Sequence, residues 1–152
     1  MRQVKVSEVM TREVLTTRAD ASLQDAAKVM SGSHVSGLPV VDEAGQLVGI
    51  LTEADILRLF RQVSVPFYID ILGGEFAIPG PGVLQRQLEE VTAYRVDQLM
   101  TRHVVTASPD EEVAEAARRM HARDLKLLPV VDAEGRLVGV VSRADIVRAF
   151  AM

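Results

Sequence analysis

The chain comprises 152 residues, 48% of them hydrophobic and 25% charged, with a formal net charge of −4 at pH 7 and a mean hydropathy of +0.16. Such a chain buries one substantial core or two small fused ones, and with no apolar run near the roughly 18 residues of a membrane span a transmembrane helix is excluded. Zero cysteines exclude disulfides, thiolate nucleophiles and cysteine-bound metals, while the acidic balance, 4% aromatics and absence of Trp argue against nucleic acid as a partner.

Met1-Arg2-Gln3-Val4-Lys5 runs straight into patterned sequence with no signal-peptide core, so the expected compartment is the cytoplasm. After Val9-Met10-Thr11-Arg12, the alternating stretch Val14-Leu15-Thr16 predicts a short strand. Leu23, Ala26, Ala27 and Met30 then form the i, i+3, i+4, i+7 stripe of a half-buried helix, with Ser22 to Asp25 resembling a capping box at its start. Leu38–Val41 and Gln46–Leu51 flank Asp42-Glu43-Ala44-Gly45, whose Asp and Gly suit a tight reversal, so a hairpin is expected. Thr52 opens a second helix that runs to Phe60.

Residues 61–95 follow a different pattern. Pro66, Gly73, Gly74, Pro79, Gly80, Pro81 and Gly82 mark turns, yet Val65, Phe67, Tyr68, Ile69, Ile71, Leu72, Phe76 and Ile78 are too apolar to stay solvated. A packed insertion is expected, followed by a helix from about Val83 to Tyr94 and lying on the module or on a second subunit.

Residues 96–150 then repeat residues 6–60 at an offset of 90 without a gap, with 24 of 55 pairs identical. Val104-Val105-Thr106 matches the first short strand, and Val113, Ala116, Ala117 and Met120 match the helix stripe. Ser108-Pro109-Asp110-Glu111 reads as an N-cap, a proline at the first helical position and an acidic third residue. Ser142 to Phe150 repeats the second helix. The expected class is α/β (α+β): two repeats of strand, helix, strand, strand, helix at 6–60 and 96–150. Two copies, too few for a solenoid, imply one module in which similar halves face each other across an approximate twofold axis.

The leading (Val/Leu)-Met-Thr, the Leu-Pro-Val-Val-Asp-x-x-Gly-x-Leu-Val-Gly hairpin, and the segments Gly49-Ile50-Leu51-Thr52-Glu53-Ala54-Asp55 and Gly139-Val140-Val141-Ser142-Arg143-Ala144-Asp145 resemble the CBS domain, usually found as a tandem pair called a Bateman module. The likeness covers nearly all of both repeats, and the insertion looks like that of small stand-alone members with no catalytic domain attached. The resemblance implies a regulatory module binding AMP, ADP, ATP or S-adenosylmethionine in clefts between the copies. No obligatory cofactor is implied, and Mg2+ would enter only with bound ATP. It also implies a flat homodimeric disc of four repeats, formed through helices carrying Leu23, Met30, Ile56 or their equivalents.

Each implied pocket draws on both copies. The favoured one gathers Val14, Thr16, Ser36, Gly37, Leu38, Lys126, Ser142, Arg143 and Asp145; the second gathers Thr52, Asp55, Val104, Thr106, Leu127 and Leu128. Asp55 and Asp145 would each accept hydrogen bonds from ribose hydroxyls, and Thr52 and Ser142 would stand at helix starts that favour phosphate. Because Ser36 and Glu53 in the first copy stand where the second has Lys126 and Arg143, the Asp145 pocket is expected to be the better phosphate site.

Plainer readings remain open beside these. Thr52-x-x-Asp55 and Ser142-x-x-Asp145 also fit capping boxes that need no ligand, and Lys126 and Arg143 also fit ordinary solvated cations. His34, His103 and His121 show no metal spacing, the glycines of 73–82 lack the Gly-Lys-(Ser/Thr) ending of a P-loop, and Met10, Met30, Met100 and Met120 fit packing. No nucleophile is paired with a base, so no enzymatic activity is expected. The alternative function is a ligand-free scaffold that docks an unknown protein partner through the 61–95 insertion.

Overall fold

The computed structural model describes residues 3–62, Gly82, Arg86, Glu89 and 92–152. The first repeat contains α1 (Val6–Val9), α2 (Leu23–Ser33), β1 (Gly37–Val41), β2 (Leu47–Thr52) and α3 (Glu53–Gln62). The second contains α4 (Val96–Leu99), α5 (Val113–Ala122), β3 (Leu127–Val131), β4 (Leu137–Ser142) and α6 (Arg143–Phe150).

Each repeat is built on the expected hairpin. Leu38 pairs with Leu51 and Val40 with Gly49, while Leu128 pairs with Val141 and Val130 with Gly139. The turns close as their sequence requires: Asp42 Oδ1 accepts from the amides of Ala44 (2.9 Å) and Gln46 (3.0 Å), and Gly45 takes φ +80°. Asp132 and Gly135 reproduce this in the second copy.

The strands expected at Val14–Thr16 and Val104–Thr106 do not form. Each segment joins its sheet through one parallel bridge, Thr17 to Val40 and Ala107 to Val130. Thr17 N donates to Pro39 O and Val41 N donates to Thr17 O; the next bond toward the N-terminus would need an amide proton from residue 39. Proline has none. Pro129 truncates the second ladder in the same way, after Ala107 N donates to its carbonyl.

Ser22 caps α2 by accepting from Asp25 N at 3.3 Å. The cap expected at Ser108 is displaced: Ser108 accepts from Asp110 N within a turn, and α5 begins only after Glu112. The reason lies outside the repeat. Lys5 bridges Glu112, and Val113 N donates to Val4 O, so Glu112 is held extended. Arg95 bridges Ser22 in the matching place, and Leu23 N donates to Tyr94 O. That extended backbone also keeps Tyr94 out of the helix expected to end there. Gly82, Arg86, Glu89 and Thr92 are helical, while the rest of the 83–91 stretch and the apolar insertion fall outside the described residues.

These bridges are part of an exchange between the halves. Val6 and Met10 pack with Ala107, Ala116, Met120, Leu128, Val130 and Val141 of the second repeat. Val96, Leu99 and Met100 pack with Leu23, Met30, Leu38, Val40, Leu51 and Leu59 of the first. Thr11 bridges Val140, and Thr101 bridges Ile50. A Cβ on Gly49 would stand 2.7 Å from Met100 Sδ, and one on Gly139 would stand 2.6 Å from Met10 Sδ. Glycine is therefore needed where the other half's Met-Thr crosses the strand. The two turns also join across the pseudo-twofold axis, Leu47 N donating to Gly135 O and Leu137 N to Gly45 O, both at 3.1 Å.

Leu23 and Met30 are spent in the core and Ile56 packs against it. The outward apolar side chains on α3 and α6 are Leu57, Phe60, Val147 and Phe150.

Candidate functional site

Strand β2 ends at Thr52 and α3 starts at the next residue, which places Asp55 in the first helical turn. Thr52 N donates to Asp55 Oδ2 at 2.9 Å and Asp55 N donates to Thr52 Oγ1 at 3.3 Å. Ser142 and Asp145 close the same reciprocal pair at 2.9 and 3.2 Å, and the Ser142 hydroxyl also donates to Asp145 Oδ2 at 3.1 Å. Both capping boxes are thus formed.

The caps leave the two carboxylates buried, Asp55 at 2% and Asp145 at 3% exposure. Buried carboxylates need partners. Asp55 Oδ1 accepts from the Thr101 hydroxyl at 3.0 Å and pairs with Arg58 Nη2 at 3.1 Å, and Arg58 also donates to Leu99 O. Asp145 Oδ1 pairs with Arg148. Each carboxylate has about four acceptor positions and three donors in place: Thr52 N, Thr101 and Arg58 for Asp55, and Ser142 N, Ser142 Oγ and Arg148 for Asp145. One position remains on each. A diol needs two, so a resident donor must give way, and Arg58 and Arg148, with side chains 45% and 63% exposed, are the ones with room to swing.

A cavity of about 470 Å3 opens beside Asp55. Thr52, Glu53, Asp55, Arg58 and Ser36 line it from the first repeat, and Thr101, His103, Val104, Lys126 and Leu127 from the second. Its volume lies in the range of small-ligand sites. The structure therefore brings Thr52, Asp55, Val104 and Leu127 together. Lys126, grouped on sequence with the Asp145 pocket, lines this cleft instead. The starts of β1 and β3 meet at the axis, where a Cβ on Gly37 would touch the Leu127 side chain at 3.1 Å, so Lys126 reaches across to Glu53 at 3.0 Å. Ser36 lies in the same cleft, and its carbonyl accepts from Glu53 N.

The remaining sequence candidates are distributed around the module. Leu38 and Leu128 are fully buried core residues, and Gly37 is buried beside them. Val14 is half-buried and Thr16 exposed, both on the segment leading to Thr17. Arg143 follows Ser142 at the start of α6, where its guanidinium donates to Leu125 O and pairs with Asp124 at 3.0 Å. Thr106 lines a separate hollow of about 510 Å3 within the second repeat. There Arg119 is held by Thr106 O and Glu111, and the other charges, Asp110 and Asp132, are acidic. Among the described residues no group of three His, Asp or Glu side chains is placed to hold a metal ion, and no helix is long and apolar enough to cross a membrane.

Sequence reading missed Arg58 and Thr101, the two side chains that complete Asp55. Both were visible as identical repeat pairs, Arg58 with Arg148 and Thr101 with Thr11.

The family model for the CBS domain matches twice, over residues 6–62 and 96–152. A CBS domain-containing protein of Dictyostelium discoideum is 33% identical over 144 residues, covering 95% of this chain and 89% of that protein. A homoserine O-acetyltransferase of Methanococcoides burtonii is 36% identical over 143 residues, but the chain spans only 23% of that enzyme's length. Among solved structures, CBSX2 of Arabidopsis thaliana in complex with AMP aligns with a TM-score of 0.74 at 27% identity, covering 97% of this chain and 96% of that one. The CBS domain pair of protein MJ0100 in complex with 5′-methylthioadenosine and S-adenosylmethionine aligns with a TM-score of 0.73 at 29% identity, covering 99% and 98%.

Proposed function

This chain belongs to the CBS domain family, carrying the domain twice, and from that premise we propose that it is a non-catalytic regulatory module that senses an adenosyl ligand between its repeats. The observation that carries this reading is the composite cleft: a buried carboxylate at a helix start, a threonine from the opposite repeat bonded to it, and apolar Ile50, Val104 and Leu127 nearby to receive a base. Asp55 takes a ribose hydroxyl with its remaining acceptor position, and the second hydroxyl displaces Arg58. The Ser142–Asp145 end repeats the same cap and ion pair, which supports a mirror site there. AMP in CBSX2, and 5′-methylthioadenosine and S-adenosylmethionine in MJ0100, name the ligand classes to be tried first. With ATP, Mg2+ would accompany the phosphates.

The regulatory output is a change in shape or association, which requires a ligand to bind two states unequally. Here the movable element is the arginine that must leave its aspartate. Homodimerisation is part of the reading, through the pseudo-symmetric faces of α3 and α6 that expose Leu57 and Val147 (67% and 68%).

Thermal-shift titration with AMP, ATP and S-adenosylmethionine tests the function. A ligand at about 100 times its Kd stabilises the folded state by about 2.7 kcal/mol, a shift of several degrees for a chain of this size. No response to any of the three would refute the sensor and favour a ligand-free scaffold.

A further inference from the structure

Glu53 and Lys126 pair at 3.0 Å in the wall of the Thr52–Asp55 cleft, with side chains 52% and 58% exposed. Glu53 is the first residue of α3, a helix of 10 residues whose first turn also holds Asp55. Free amides and the helix dipole make such a place attractive to an external anion. Here the chain supplies its own. The three acidic residues lining the cleft are each matched by a cation, Asp55 by Arg58, Glu53 by Lys126 and Asp124 by Arg143, so no cation is left free for an incoming anion. At the position equivalent to Glu53, the second repeat carries Arg143.

We propose that Glu53 makes the Thr52–Asp55 cleft selective for an adenosyl ligand whose 5′ tail carries no net negative charge, such as a thioether or a sulfonium, over a 5′-phosphate. This rests on the adenosyl reading of the cleft. A ligand anchored by its ribose on Asp55 directs its tail along the helix start toward Glu53 and Lys126. A phosphate must separate that ion pair to reach Lys126 and then lie beside the released carboxylate. A thioether leaves the pair intact, and a sulfonium is attracted rather than repelled by the Glu53 carboxylate. Because the pair is half-exposed, its electrostatic effect is modest and screened, so the selectivity is a matter of about tenfold rather than exclusion.

The test is a methyl NMR titration of the full chain with AMP, 5′-methylthioadenosine and S-adenosylmethionine, read at Ile50, Val104 and Leu127, which line this cleft. Glu53 is exposed, so Glu53→Gln and Glu53→Arg preserve the fold. AMP is expected to bind about three- to tenfold more tightly to Glu53→Gln than to the native chain, and more tightly still to Glu53→Arg, with 5′-methylthioadenosine unchanged within about twofold. If these methyls report binding but both variants keep the native ratio of the two affinities, the selectivity is overturned and the adenosyl reading stands. If no ligand moves these methyls in the native chain or in either variant, the adenosyl reading of this cleft fails and the selectivity with it.

Discussion

Met100 lies against Gly49 so closely that a Cβ there would stand 2.7 Å from its sulfur and 3.1 Å from the carbonyl oxygen of Thr101. The contact joins the Met-Thr that opens one repeat to the Gly that precedes the (Ser/Thr)-x-x-Asp of the other. Two motif elements just over fifty residues apart are thus halves of a single joint, and Met10 against Gly139 is its mirror image.

Gly49→Ala should therefore destabilise the chain by about 1–3 kcal/mol, the usual cost of overpacking. The thioether can swing aside, but the Thr101 carbonyl belongs to backbone bridged to Ile50 and cannot. Urea denaturation checks this, and Gly139→Ala should behave alike. A change under about 0.5 kcal/mol in both, the range of neutral surface substitutions, would show that the joint yields freely.

Thr101→Val removes the hydroxyl that donates to buried Asp55 at 3.0 Å. Leaving a buried acceptor short of a donor costs about 1–3 kcal/mol. Thr101→Ser should recover most of that loss. A Thr101→Val variant as stable as the native chain would show that the hydroxyl contributes nothing to holding Asp55.

Asp55→Asn and Asp145→Asn each weaken a cap and remove the charge that would receive ribose. Loss of one charge-assisted hydrogen bond corresponds to about tenfold or more in ligand affinity. Calorimetry on folded variants, with circular dichroism as the control, reads the effect at each cleft. Unchanged affinity in both would remove the two aspartates from the site.

Gly45 and Gly135 hold φ +80° and +81°, and a Cβ on Gly135 would meet Gln46 Oε1 at 2.8 Å. Alanine in left-handed backbone costs roughly 1–2 kcal/mol, so both variants lose stability. Gly135→Ala should lose more. The difference should shrink when Gln46→Ala is added, the signature of coupling between neighbours in a double-mutant cycle.

Leu57→Asp combined with Val147→Asp should convert the proposed homodimer to a monomer, because buried unpaired charge opposes association. Sedimentation velocity reads the change. A native chain that sediments as a monomer at every concentration would remove the dimer.

Local chemistry carried much of this from the sequence. The hairpins were legible because Asp42 and Asp132, followed three residues on by glycine, close a turn by short-range bonds alone. The helix stripes were legible because their apolar spacing matches the helical period. The first strands were not, since a single missing amide proton at Pro39 and Pro129 limits each to one bridge, and periodicity does not count donors.

The sequence by itself determined that two like halves exist and that each ends in a helix capped by (Thr/Ser)-x-x-Asp, because repetition and capping are readable at short range. Only the tertiary structure decided which half completes which site. Val6, Met10, Val96 and Met100 cross to the opposite core because each half alone leaves an apolar face uncovered, and the crossing carries Thr101 to Asp55 and sets Lys126 opposite Glu53. Burial rewards any apolar face that fits and is blind to position along the chain. A repeat read linearly therefore pairs residues with their copies, whereas the folded chain pairs them with the copy's neighbours.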